Sequence, residues 1–221
     1  MKLFLDTANI EDIKTAFDMG AISGVTTNPS LISKEPKGSF FEHIRNIANI
    51  CRENGHVPLS AEVFSLNRQG IVSEAREIIE KVGYNNLNIK VPIGVEQLAA
   101  IKDLSRNSIE VNCTCCFTAT QMQLAAAAGA SYVSLFYNRL IDVGGSPLKV
   151  LERVRTFIDD EHLDCQIIAG SIRNAYDLED AWDAGAHIVT AGLPVVKKSL
   201  VHPKTTESIE GFMEDFKEWM K

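Results

Sequence analysis

The sequence predicts a (β/α)8 barrel, and three observations carry that prediction. Short runs rich in β-branched residues alternate from end to end with longer amphipathic stretches, the pattern of a parallel sheet with helical crossovers. Eight such runs are present, the number that closes a barrel. Polar residues fall on one side-chain parity of those runs and crowd toward their C-terminal ends, where barrels place their chemistry.

In chain order the strands are KLFLDT (2–7), GVTTN (24–28), LSAEVF (59–64), NLNIKV (86–91), EVNCTCCF (110–117), YVSLFY (132–137), CQIIAGS (165–171) and HIVTAG (187–192). Each is a short run of residues suited to a pleated, buried surface. Between them apolar residues return every three to four positions, which predicts helices over 9–19, 40–54, 68–82, 96–106, 118–128, 147–160 and 174–184. Helices run into Gly20-Ala21, Gly129-Ala130 and Gly185-Ala186, where glycine supplies a left-handed cap before the next strand. Beyond His202-Pro203 a final amphipathic helix is predicted over about 204–221, with Ile209, Phe212, Phe216 and Trp219 along one face. That face must pack on something, either its own barrel or a neighbouring subunit. An open doubly wound sheet is the competing architecture. Against it, the first strand leads into DTANIED without a glycine fingerprint for a dinucleotide, and no GxxxxGK(S/T) occurs.

The 221 residues, 45% hydrophobic and 23% charged, have the balance of one globular domain over 1–221, with no Gly/Ser/Pro-rich linker to divide it. That is compact for such a barrel, which more usually takes about 250 residues. A formal net charge of −7 gives no cationic footprint for nucleic acid or an anionic membrane, so any anion must meet a local pocket. The start, MKLFLDTANIEDI, lacks the basic and apolar regions of a secretory leader, and no later stretch approaches about 18 uninterrupted apolar residues. The expectation is a soluble, cytoplasmic protein. Five cysteines, an odd number in a chain large enough to stabilise its own core, fit a reducing compartment. The run CTCC (113–116) reads as small apolar filling of a strand rather than a metal site, because alternation turns Cys113 and Cys115 away from Cys116.

Sorting the strands by parity separates two faces. One collects Asp6, Thr26, Asn28, Ser60, Glu62, Asn88, Lys90, Asn112, Thr114 and Ser134, then Ser171 and Arg173 at the end of the seventh strand. The other carries Leu87, Ile89, Val91, Cys113, Cys115, Val133 and Leu135. A strand buried on both faces otherwise reads as continuously apolar. Any one Ser, Thr or Asn at a strand end is explained by capping into solvent. Two carboxylates, a lysine and three asparagines on one face are not, and point to a catalytic interior. Lys90 stands between Ile89 and Val91, where an ammonium is costly, and a neutral amine can attack a carbonyl. A lysine at a strand end commonly snorkels to water. With Glu62 and Asp6 on its face and Pro92 closing its strand, Lys90 reads instead as a nucleophile.

These residues bring a family into view through FLDTANI (4–10), GVTTNPSLI (24–32), SAEV (60–63), IKVP (89–92), NCT (112–114), YNRL (137–140) and GSIRN (170–174). The chain resembles, essentially end to end, the small transaldolase and fructose-6-phosphate aldolase family, class I aldolases on a (β/α)8 barrel. The resemblance implies a Schiff-base lysine at Lys90, an acid/base aspartate at Asp6, and a water-relay carboxylate and threonine at Glu62 and Thr114. It implies substrate-hydroxyl asparagines at Asn28 and Asn112, with Thr26 beside them, Ser134 and Phe136 lining the site, and an anion clamp of Arg139, Ser171 and Arg173. No metal or organic cofactor is implied. A homo-oligomer is, a decamer of pentamer rings in the commonest form, with the C-terminal helix lying across a neighbour.

Within the family the aldolase branch carries Gln where Glu62 stands and Tyr where Phe136 stands, so the chain sides with transaldolase. The expected reaction is transfer of a dihydroxyacetone unit from a 6-phosphoketose of the fructose 6-phosphate type to an aldose acceptor. Alternatives are the sulfonate analogue 6-deoxy-6-sulfofructose as donor, release of free dihydroxyacetone as in the aldolases, and a catalytically silent sugar-phosphate-binding barrel. Departures at Leu135, Tyr137, Asn138 and Gly170 cluster near the residues assigned to the anionic end, which keeps phosphate and sulfonate both in play.

Overall fold

A computed structural model describes all residues 1–221. Its elements are β1 (Lys2–Asp6), α1 (Ile10–Asp18), β2 (Val25–Thr26), α2 (Pro29–Ile32), α3 (Phe40–Glu53), β3 (Leu59–Glu62), α4 (Arg68–Val82), β4 (Leu87–Pro92), α5 (Val95–Arg106) and β5 (Val111–Cys116). They continue with α6 (Ala119–Ala127), β6 (Tyr132–Phe136), α7 (Tyr137–Asp142), α8 (Pro147–Asp160), β7 (Gln166–Ile172), α9 (Ala175–Asp183), β8 (Ile188–Ala191), α10 (Leu193–Ser199) and α11 (Pro203–Trp219). The eight parallel strands pair in sequence order, and β8 returns to β1 through Lys2↔Ile188 and its successors, so the sheet has no edge. The (β/α)8 expectation holds.

Local chemistry sets the element boundaries. Asn9, Ser39, Asn67, Thr118 and Asn174 each accept backbone N–H groups at the start of a helix, and Thr118 and Gln121 form a reciprocal capping box. Gly20, Gly129 and Gly185 have φ of 75°, 99° and 99°, the left-handed conformation expected of them. Three short helices, α2, α7 and α10, were not foreseen. Each lies at the C-terminal end of a strand, too brief for any periodicity to register.

The main apolar core lies between the sheet and its helices and includes Ile89, Val91, Val133 and Leu135, the outward parity predicted from the sequence. A separate cluster of Phe4, Ile168 and Ile188, with Tyr132 against it, fills the barrel beneath the polar set. Gly24 is required there, because a Cβ on it would stand 2.5 Å from the Phe4 ring. The barrel thus has an apolar floor and a polar upper half.

Two bulges interrupt the parity. Between Cys113↔Val133 and Cys116↔Leu135 the fifth strand has one residue more than its partner, and so has the seventh between Ala169↔Val189 and Ile172↔Ala191. The extra residues are Cys115 and Ser171, with φ of 60° and 61°. Regular alternation points Ile168 and Gly170 inward, so Ser171 reaches the interior only because of its bulge. The alternation expected for the cysteines fails for the same reason. Cys113 and Cys116 share the helix-facing side with sulfurs 3.9 Å apart, and Cys115 is turned toward the interior.

Candidate active site

Parallel register brings the charged residues together. Glu62 is the partner of Lys90 across β3 and β4, and Lys90 is in turn the partner of Asn112 across β4 and β5. The Lys90 amine donates to the Thr27 carbonyl oxygen at 2.9 Å and lies 3.5 Å from Glu62 Oε2. Lys90 is only 6% exposed, so its head does not snorkel to solvent. The amine sits at the base of a cavity of about 380 Å³ that opens at the C-terminal face of the barrel.

Asp6, at the end of β1, accepts a hydrogen bond from Thr26 Oγ1 at 2.8 Å, and the Thr26 and Thr190 hydroxyls are 2.7 Å apart. Burial pushes the Asp6 carboxyl above the ordinary carboxylate range, against the opposing pull of Lys90, the Thr26 hydroxyl, Arg139 and Lys34. Burial also pushes Glu62 up, opposed by Lys90 and its hydrogen bond and reinforced by Asp6. Two carboxyls whose proton affinity is raised by burial therefore flank one amine, a set suited to moving protons around a carbonyl addition.

Below them Ser134 Oγ donates to Asn112 Oδ1 at 2.6 Å, and Asn112 Nδ2 donates to Ser60 Oγ at 3.2 Å. Thr114 Oγ1 is buried without a protein partner, as are both amide atoms of Asn88. Buried polar atoms are ordinarily paired, so the Thr114 hydroxyl on the cavity wall is available to a water or a substrate oxygen.

The opposite wall is cationic. Arg139 stacks over the Phe136 ring at 4.7 Å, and Phe136 meets Phe117 edge-on at 5.7 Å. Ser171 stands beside it on the bulge of β7. Arg173 lies just beyond that strand, and its guanidinium is paired with both oxygens of Asp142 at 2.7 and 2.5 Å. Asp177 ties this corner together, accepting from Asn138 Nδ2 at 2.6 Å and Asn174 Nδ2 at 2.8 Å, the neighbours of Arg139 and Arg173.

Of the predicted residues, Asp6, Thr26, Asn28, Glu62, Lys90, Thr114, Ser134, Phe136, Arg139 and Ser171 all border the one cavity. Asn112 and Arg173 do not: Asn112 is fully buried one layer down, and Arg173 is turned to Asp142. Asn28 is not in a strand but caps α2, with Oδ1 accepting from Leu31 N at 3.1 Å and Pro29 filling the first helical position. Sequence reasoning missed Lys34, Thr190 and Cys115 on the wall. Thr190, the one hydroxyl within its strand, was open to the parity argument; Lys34, beyond the unforeseen α2, was not. Of the four departures, only Gly170 borders the cavity; Leu135 and Tyr137 are buried outside it and Asn138 is held by Asp177. No three His, Cys, Asp or Glu side chains converge as metal ligands, and no helix is long and apolar enough to cross a membrane.

Residues 3–221 match the transaldolase/fructose-6-phosphate aldolase family model. A probable transaldolase of Clostridium acetobutylicum is 44% identical over 218 residues, covering 99% of this chain and 98% of that one. Probable transaldolases of Alkaliphilus metalliredigens and Thermoplasma volcanium are each 43% identical, the first over the full length of both chains and the second over 98% of this chain and 96% of its own. Among solved structures, a thiamine phosphate pyrophosphorylase from Pyrococcus furiosus superposes with a TM-score of 0.60 at 14% identity, over 86% of this chain and 84% of that one, a likeness of fold alone.

Proposed function

The chain belongs to the transaldolase/fructose-6-phosphate aldolase family, and from that membership we propose that it transfers a dihydroxyacetone unit from a 6-phosphoketose to an aldose through an imine on Lys90. The observation that carries the reading is the enclosed Lys90 amine, 3.5 Å from Glu62 on a wall shared with Asp6. The amine adds to the C2 carbonyl of the ketose, and loss of water from the carbinolamine leaves a protonated imine. Glu62, working through a water held by the Thr114 hydroxyl, delivers and removes the protons of these steps. Asp6 takes the proton of the C4 hydroxyl, the C3–C4 bond breaks, and its electron pair passes into the iminium to give an enamine. The positive charge at Lys90 opposes the effect of burial on Asp6, and a protonated imine keeps that charge in place while Asp6 acts as base.

The enamine then adds to an acceptor aldehyde. Phe136 has no hydroxyl to hold a protonating water, which supports transfer over release of free dihydroxyacetone. Arg139, with Ser171 and Arg173, receives the anionic end of the ketose. A second reading, a sulfonate ketose such as 6-deoxy-6-sulfofructose, is favoured by Gly170, the departure that borders the cavity next to Ser171. Borohydride added with fructose 6-phosphate is expected to leave a reduced adduct on Lys90 by peptide mass spectrometry. No adduct in the wild type, or one retained in Lys90→Ala, rejects the mechanism.

The same reading takes α11 as a subunit contact. Every residue of α11 is exposed, Phe212 by 71% and Trp219 by 78%, so the stripe foreseen in the sequence does not pack on its own barrel. A neighbouring copy is the partner that a family of homo-oligomers offers.

A further inference from the structure

The one arginine of the expected clamp that does not face the cavity is already occupied by an anion of the protein's own. Asp142 ends α7, one turn after Arg139 on the same helix, and grips the Arg173 guanidinium through both carboxylate oxygens. Its carboxyl is held below the usual range first by the Arg173 hydrogen bonds and further by the charges of Arg173 and Arg139, so one carboxylate lies in the field of both arginines. Arg173 is two residues from Ser171, which borders the cavity. Asp142 takes the Nη1/Nη2 edge of the guanidinium, and an oxyanion that needs that edge must displace the carboxylate.

We propose that Asp142 is an internal stand-in for the anionic head of the substrate, holding Arg173 beside the cavity until a head group of greater charge exchanges for it. Asp142 is then a positioning residue that sets which anions bind. A phosphate ester near pH 7 carries about −1.5 to −2 and offers three oxygens, and displaces a carboxylate of charge −1. A weaker anion, or an uncharged sugar, leaves Arg173 on Asp142. The proposal rests on the reading of Arg139, Ser171 and Arg173 as the clamp, and adds that the clamp is closed against weak anions by a residue outside the cavity.

The test is Asp142→Asn, with Asp142→Ser as a second variant, in the full-length protein. Calorimetric titration with inorganic phosphate at pH 7.5 is expected to give a dissociation constant at least fivefold lower than in the wild type. KM for fructose 6-phosphate should fall by a similar factor with kcat little changed, the signature of a contact felt equally in ground and transition states. Kinetics with fructose, which has no anionic end, should not move. In an Arg173→Ala background the same Asp142 substitutions should change phosphate binding by less than 1.5-fold. An unchanged phosphate constant in Asp142→Asn, absence of phosphate binding in every variant, or an equal gain without Arg173 overturns the proposal. Phosphate binding is read without turnover, so failure of the transaldolase assay with the expected binding shift rejects the proposed function and leaves the role of Asp142 standing.

Discussion

Lys90 and Glu62 are register partners on neighbouring strands whose charged ends meet 3.5 Å apart in an enclosed pocket, each side chain largely shielded from water. Burial alone disfavours either charge, and the pair persists because each offsets the other. That contact places a carboxyl within reach of the amine, as the proposed imine mechanism requires. Asp6, whose carboxyl is also pushed up by burial, is the third member of the set.

On the proposed mechanism, Asp6→Asn separates carbonyl addition from carbon–carbon cleavage. The turnover rate should fall by about 10²–10⁴, the usual worth of a general base, while the borohydride adduct at Lys90 still forms. Loss of the adduct together with activity would show that Asp6 acts earlier. In the wild type the acid limb of kcat/KM should lie above the pH of an ordinary carboxylate, because the base must be ionised and burial raises its proton affinity.

The same shift has a stability consequence with a definite sign. A buried carboxyl with a raised folded pKa contributes its full stability below the unfolded value, about 3.9, and loses it as pH rises through the folded value. Asp6 is thus a destabilising charge at neutral pH. Asp6→Asn, which cannot ionise, should melt at a higher temperature than the wild type at pH 7.5, with the two curves converging near pH 4. A variant less stable at both pH values would refute this assignment of strain to the Asp6 charge.

On the proposed reading, Phe136 and Glu62 distinguish transfer from release. On one preparation, transfer to an aldose acceptor should exceed release of free dihydroxyacetone at least tenfold, a barrier difference of about 1.4 kcal/mol. Phe136→Tyr combined with Glu62→Gln places a hydroxyl and an amide where the aldolase branch has them, and should shift the ratio toward release. A wild type that mainly releases dihydroxyacetone would assign the chain to the aldolase reading.

Much of the barrel and the inner face was legible because parallel strands with β-branched spacing leave few alternatives, and because side-chain parity has period two. It ceased to be legible where the backbone breaks that period. Cys115 and Ser171 adopt positive φ without being Gly or Asn, so nothing in the residue type marks either bulge. Asn28 was placed on a strand, yet Asn-Pro is a strong cap-and-first-turn signal, and the strand ends two residues earlier. The Arg173–Asp142 pair joins the end of α7 to the segment after β7 across 31 residues, a distance that no local pattern spans.

Gly170 gives a handle on the anionic end. A Cβ there would lie 3.4 Å from Thr190 Cγ2 and 3.7 Å from the Leu135 carbonyl oxygen, ordinary contacts, so Gly170→Ala should fold normally and remove a methyl-sized space beside Ser171. Competing the phosphate and sulfonate ketoses for one acceptor, the wild type is expected to prefer phosphate in kcat/KM. A sulfonate preference above tenfold would reverse that order. If Gly170 accommodates the head group, Gly170→Ala should change the ratio of the two kcat/KM values more than it changes melting temperature; an unchanged ratio would remove Gly170 as a determinant.

The apolar stripe of α11 lies open to solvent. Left in water, each large apolar side chain of its stripe forgoes about 1.5–3 kcal/mol of burial, and Ile209, Phe212, Phe216 and Trp219 lie together on one helix with the Phe216 and Trp219 rings stacked at 5.8 Å. Such a patch drives association when a second copy offers a surface. Light scattering should therefore give a mass well above the 24.3 kDa of one chain, and truncation after Pro203 should lower it. The chain has two tryptophans, Trp182, which is half-buried, and Trp219. In the assembled protein Trp219 should emit at shorter wavelength and resist acrylamide quenching, and dilution through the dissociation range should reverse both. A monomer with α11 intact, or a fully quenchable Trp219 at high concentration, would mean that this helix has another partner.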